Sequence, residues 1–137
     1  MVRVTIDTNV LVRAAVDDDP EQANEARALL RDAERIVLTL PALCEFVWVA
    51  RRAYRRSPGE VSVSLRRLIA ASNAQVEVGA VEAGLRVLDA GGDFADGIIA
   101  FDGRRQGGAV FASFDRRAVR LVAESGGETY LLGREED

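Results

Sequence analysis

Short apolar runs alternate along this chain with longer stretches whose apolar residues recur at helical spacing. Val2 to Ile6 reads as a buried strand, with a short helical turn near Asn9 to Ala14 before the polar break from Asp17 to Pro20. Glu21 to Arg31 is helical, with apolar positions at Ala23, Ala26, Leu29 and Leu30, and Ile36 to Thr39 reads as a second strand. Pro41 suits a first helical position, and Leu43, Phe46, Val47 and Ala50 make the buried stripe of a helix reaching about Tyr54. Ser57-Pro58-Gly59 is a break, and Val61 to Ala71 is helical with Leu65, Leu68 and Ile69 inward. A strand near Gln75 to Val78 and a helix over Val81 to Ala90 follow, stopped by Gly91-Gly92. Asp93 starts another helix running to about Gln106, closed by Gly107-Gly108. Ala109 to Ala112 is an apolar strand, Arg116 to Glu124 a helix ended by Gly126-Gly127, and Thr129 to Leu132 the last strand.

Strands alternating with helices predict an α/β fold: a central parallel sheet of four to five strands covered by helices on both faces. There is no internal repeat or linker, and 137 residues make one domain spanning 1–137. In such sheets ligands gather beyond the carboxyl ends of the strands, which is where Asp7 and Asp115 fall.

Composition narrows the chemistry. With 48% hydrophobic and 29% charged residues the composition is that of an ordinary globular protein; the Val2 to Ile6 run is too short for a signal peptide's apolar region, and no segment approaches the length of a membrane span. The expected location is cytoplasmic. Cys44 is the sole cysteine, so an intramolecular disulfide and a cysteine-based zinc site are excluded. The absence of histidine removes Ser-His-Asp and Cys-His catalysis. All 18 basic residues are arginine, so P-loop and Schiff-base lysines are excluded as well. Catalysis must use carboxylates, hydroxyls, arginine or a metal. A net charge of -4 argues against a generally basic nucleic-acid binder, yet it allows local patches. The arginines are grouped as Arg51-Arg52, Arg55-Arg56, Arg66-Arg67, Arg104-Arg105 and Arg116-Arg117, and a guanidinium binds phosphate bidentately.

Five acidic positions bear on the candidate chemistry, and each has a structural alternative. Asp7 and Asp115 each follow a strand and precede a helix, so either can be a helix cap or a ligand. Glu45 lies beside Phe46 in an apolar run; a carboxylate buried there needs a metal, an arginine of its own helix or protonation. Asp93 and Asp96 have the spacing of an N-cap and its N3 partner, which leaves Asp96 to face the strand ends while Asp93 caps. Carboxylates gathered from distant segments repel each other unless a cation lies among them. Oxygen-only ligation selects Mg2+ or Mn2+. Such an ion activates water and offsets charge developing on phosphorus, so the inferred chemistry is phosphodiester hydrolysis.

Four stretches carry a family resemblance: IDTNVL at Ile6 to Leu11, ALCEFVWVARRAY at Ala42 to Tyr54, DFADGIIA at Asp93 to Ala100 and SFDRR at Ser113 to Arg117. Together, in this order and spacing, they resemble the PIN-domain ribonucleases, and most of all the VapC toxins of type II toxin–antitoxin systems. The resemblance implies a single Rossmann-like PIN domain with strand order 3-2-1-4-5. It also implies a Mg2+- or Mn2+-dependent endoribonuclease that blocks translation by cleaving RNA. Carried over by position, Asp7, Glu45, Asp96 and Asp115 would be the catalytic acids; Asp7, Asp96 and Asp115 would ligate metal, and Glu45 would hold or activate water. Thr8, Asn9, Asp93 and Ser113 would support them, Ser113 standing where the family usually has Thr. Gly97 stands where the family commonly has Ala, a change that weakens the helix slightly. Arg116 and Arg117 are the candidates for RNA contact. The implied partners are RNA, a cognate antitoxin and a second copy of the chain, giving a homodimer that forms a heterotetramer or larger assembly with antitoxin. No membrane is involved. Trp48 and Tyr54 fit either a partner surface or core packing.

A catalytically weak PIN fold serving as an RNA-binding or partner-binding scaffold is the alternative. An aspartyl-phosphate phosphatase of the haloacid dehalogenase type also begins with a strand running into Asp. It would want a second Asp two residues later and a lysine; here Asn9 stands at that place and lysine is absent.

Overall fold

The computed structural model describes residues 2–133. Met1 and residues 134–137, which the expected 1–137 domain includes, lie outside them. The described residues divide into two compact units, with the boundary between Glu77 and Val78.

In the first unit, β1 (Arg3–Thr5) leads through α1 (Thr8–Ala15) and α2 (Pro20–Asp32) to β2 (Arg35–Val37). From there α3 (Leu40–Arg52) and α4 (Pro58–Ile69) lead to β3 (Ala74–Gln75). Each strand-to-strand passage goes by way of helices, as parallel pairing requires. β2 is the middle strand, with Val4 opposite Ile36 and Ile36 opposite Ala74. Ile36 is buried with Ile6, Leu11, Val12, Leu43, Phe46, Val47, Ala50, Val61 and Leu65. The stripe expected on α3 is therefore the one that packs.

In the second unit, α5 (Val78–Asp89) and α6 (Phe94–Arg105) form a helical pair. β4 (Val110–Ser113) and β5 (Glu128–Leu131) lie parallel across α7 (Arg116–Glu124), with Val110 opposite Glu128 and Ser113 opposite Leu131. Val81, Leu85, Leu88, Phe94, Ile98, Leu121 and Val122 form its core. The orders β1-β2-β3 and β4-β5 reproduce the 3-2-1 and 4-5 portions of the expected arrangement.

Several boundaries move for local reasons. The helical turn expected after Asp7 is a full helix of two turns. α4 starts at Pro58, not Val61, because Ser57 and Glu60 form a reciprocal capping box and Pro58 occupies the first turn. The strand expected over Gln75 to Val78 is shorter, since Val78 already opens α5. α3 stops at Arg52, before Tyr54. Arg55 adopts a positive φ of 53°, and the Arg56 N–H turns back to the Ala50 carbonyl at 2.9 Å.

Gly97 has a role its helix propensity does not suggest. A Cβ there would lie 2.4 Å from the Ala83 carbonyl oxygen and 2.7 Å from the Gly84 Cα. The glycine lets α6 approach the backbone of α5, so the expected mild weakening of the helix is outweighed by a packing requirement.

Candidate functional site

The first unit carries Asp7, Thr8, Asn9 and Glu45. The Ile6 N–H bonds the Val37 carbonyl at 3.1 Å, which holds the end of β1 beside β2 and delivers Asp7 just past it. Asp7 has extended backbone at the N-cap of α1, but its side chain makes no capping hydrogen bond. The Asp7 carbonyl takes the Val10 N–H instead, at 3.1 Å. Its carboxylate is exposed. Thr8 is buried in the first turn of α1 and Asn9 is exposed beside it.

Glu45 does not have the burial expected of it. It is exposed, although Phe46 and Val47 next to it are both 3% exposed. At 100° per residue, the buried stripe of Leu43, Phe46, Val47 and Ala50 turns Glu45 to the opposite side of α3. The phase of that stripe was the signal in the sequence. Among the described residues no arginine pairs with Glu45, so the ion-pair alternative is not realised.

The second unit carries Asp93, Asp96, Ser113, Asp115, Arg116 and Arg117. Asp93 caps α6, its Oδ1 accepting the Ala95 N–H at 3.1 Å and its carbonyl the Asp96 N–H at 3.0 Å. Asp96 is left uncommitted to the cap and half-buried in the first turn. This is the division of labour their spacing predicts. At the end of β4, the Ser113 hydroxyl accepts the Asp115 N–H at 3.0 Å and so fixes the residue that starts α7. Asp115 Oδ1 then accepts the N–H groups of Arg117 and Ala118, at 2.9 and 3.1 Å. Asp115 is a true cap.

Burial, and after it the negative charges of Asp93 and Asp115, push the Asp96 carboxyl up to about 6. The cost of ionising Asp96 thus arises near the starts of α6 and α7, where burial and two neighbouring acids meet. Arg116 and Arg117 are exposed in the first turn of α7, where a positive charge opposes the helix dipole. The Arg117 guanidinium reaches the turn at Gly91, 2.9 Å from where a Cβ would stand.

Among the described residues, no group of three or more Asp, Glu or Cys is arranged to hold a metal ion. The chemistry of the donors nevertheless suits a hard divalent cation. They offer oxygen only, and the repulsion that adds to burial in raising Asp96 is the kind a cation relieves. Asp93 and Asp115 each cap through Oδ1, which leaves a second carboxylate oxygen on each.

Among the described residues no helix is long and apolar enough to cross a membrane. The family model of the PIN domain matches residues 4–124, a span that takes in all four acidic motifs and runs through both units. No curated protein matches the chain.

Proposed function

Because the chain belongs to the PIN-domain family, whose members are typically nucleases, we propose that it is a Mg2+- or Mn2+-dependent endoribonuclease, the toxin of a VapC-type toxin–antitoxin pair. The observation that carries this reading is the PIN-domain match over residues 4–124, which takes in the half-buried Asp96 with Asp93 and Asp115 near it, in a chain that has no histidine or lysine to do the chemistry instead. Asp7, Asp96 and Asp115 would hold the cation. When bound, it would stabilise negative charge on the scissile phosphate and make water a better nucleophile.

The remaining roles belong to the chain's own groups. Glu45, exposed and without an ion pair among the described residues, is suited to take a proton from the attacking water. The uncapped carboxylate of Asp7 is available to a ligand, with Thr8 and Asn9 beside it. Ser113 holds Asp115 through its backbone, and Asp93 sets the start of α6 for Asp96. Arg116 and Arg117, placed against their helix dipole next to Asp115, would bind the RNA phosphates. One PIN domain over 1–137, homodimerisation, silencing by an antitoxin and a cytoplasmic location complete the proposal.

The test is to incubate purified protein with structured and unstructured RNAs, with Mg2+ or Mn2+ and with EDTA. Cleavage should require metal, and Asp7→Asn and Asp96→Asn should each lower its rate at least about a hundredfold. Metal-dependent cleavage that survives in both variants would sink the site. No cleavage of any RNA would favour the scaffold reading.

A further inference from the structure

On α3, the residues opposite the buried stripe make a surface of their own. Pro41, Glu45, Trp48 and Arg52 are all exposed and recur at intervals of four, three and four, so they share one helix face. Trp48 is the only tryptophan in the chain and is 58% exposed, which overturns its core-packing alternative. The Arg52 guanidinium carbon lies 5.5 Å from its ring centroid. Tyr54, by contrast, is partly buried and donates its hydroxyl to Asp18 at 3.2 Å.

C-terminal to Glu45, the charge along this stretch has one sign. No acidic residue occurs between Phe46 and Gly59, while Arg51, Arg52, Arg55 and Arg56 all do. Arg51 donates to the Arg56 carbonyl at 2.9 Å, and Arg56 pairs with Glu60 at 3.7 Å. Arg52 and Arg55 pair with no carboxylate among the described residues. A flat π surface with a guanidinium over it, followed along the chain by further arginines, suits a base together with its phosphates.

We propose that Trp48 and Arg52 form a stacking site for an unpaired base of single-stranded RNA, one helical turn from Glu45. Only the role of Glu45 rests on the nuclease reading. Three residues of helix rise about 4.5 Å, and helical side chains lean toward the N-terminus, so Trp48 covers surface on the Glu45 side of its own Cα. A base stacked there holds the adjoining phosphodiester near the acid. Duplex RNA is excluded because its bases are already stacked on one another. An acidic peptide would use the arginines but gain nothing from the indole. A protein partner would want no acid beside the ring, and Glu45 flanks Trp48 on its face.

The sole tryptophan is also the probe. In EDTA, an unstructured oligoribonucleotide should quench Trp48 fluorescence on binding; the same sequence in duplex form should do so far more weakly, and poly-glutamate not at all. Trp48→Ala should weaken binding of the labelled single strand at least about fivefold, with Trp48→Phe retaining most of it. Arg52→Ala should weaken it too, and Arg52→Lys should not restore it, because an ammonium has no plane to stack. With Mg2+, Trp48→Ala should raise KM far more than it lowers kcat.

Unchanged single-strand binding in Trp48→Ala overturns the stacking site. So does quenching by duplex or poly-glutamate equal to that by the single strand, or a change in the protein's oligomeric mass in Trp48→Ala. Quenching by single strand without cleavage of any RNA leaves the stacking site standing and removes the nuclease. Cleavage with wild-type KM in Trp48→Ala, and no quenching, does the reverse.

Discussion

Asp7 and Asp115 occupy the same local position, the N-cap of a helix just past a parallel strand, yet only Asp115 spends a carboxylate oxygen on its helix. The sequence showed both as caps or ligands, because a cap is a matter of position while its use is a matter of rotamer. For Asp93 and Asp96 the spacing was enough, since an N-cap and its N3 neighbour differ in which way they face. The pH behaviour of Asp96 follows from its raised carboxyl. Its protonated form is favoured in the folded state, so its contribution to stability is complete below the ordinary Asp range, near 3.8, and is lost as pH rises through about 6. In EDTA, Asp96→Asn should therefore gain stability over the wild type as pH goes from 4 to 7. The gain should be on the order of 1–2 kcal/mol once partial exposure is allowed for. Urea titrations at the two pH values check it, and an equal difference at both would refute the assignment.

Elements show where propensity and packing disagree. Alanine is the better helix former, so exposed propensity alone would have Gly97→Ala stabilise α6 by about 1 kcal/mol. The contact with the Ala83 carbonyl reverses the sign. The variant should lose about 1–3 kcal/mol in denaturant unfolding, and, because Asp96 is its neighbour, should also lose cleavage activity. A gain in stability would show that α5 and α6 can separate at no cost. The glycine could not be read from the sequence, since the backbone it approaches belongs to a helix more than ten residues earlier. The early start of α4, on the other hand, was legible: Ser57-Pro58-Gly59-Glu60 is a capping box with proline in its first turn. Reading it as a break overlooked the Glu60 three residues after the Ser.

At the scale of the molecule, a net charge of -4 coexists with arginine pairs at the end of α3 and the start of α7. For the proposed binding of both a cation and a polyanion, local sign would matter more than the total. If the acids hold Mg2+, the ion stabilises the folded state by mass action, about 2.7 kcal/mol at a hundredfold excess over Kd. The wild-type Tm should rise by several degrees with Mg2+, and the rise should shrink in Asp7→Asn and in Asp96→Asn. A thermal scan reads this without any activity assay, and an equal rise in both variants would place the ion elsewhere. The sequence by itself determined the alternation of strands and helices, the buried stripe of α3 and the acids at the starts of helices, because each is a periodicity or a neighbour relation within a few residues. Only the tertiary structure decided that Gly97 admits the backbone of α5, that burial, with Asp115 added to the nearby Asp93, raises Asp96, and that Asp7 keeps its carboxylate free. Those properties depend on atoms brought near by packing, and periodicity along a chain carries no record of them.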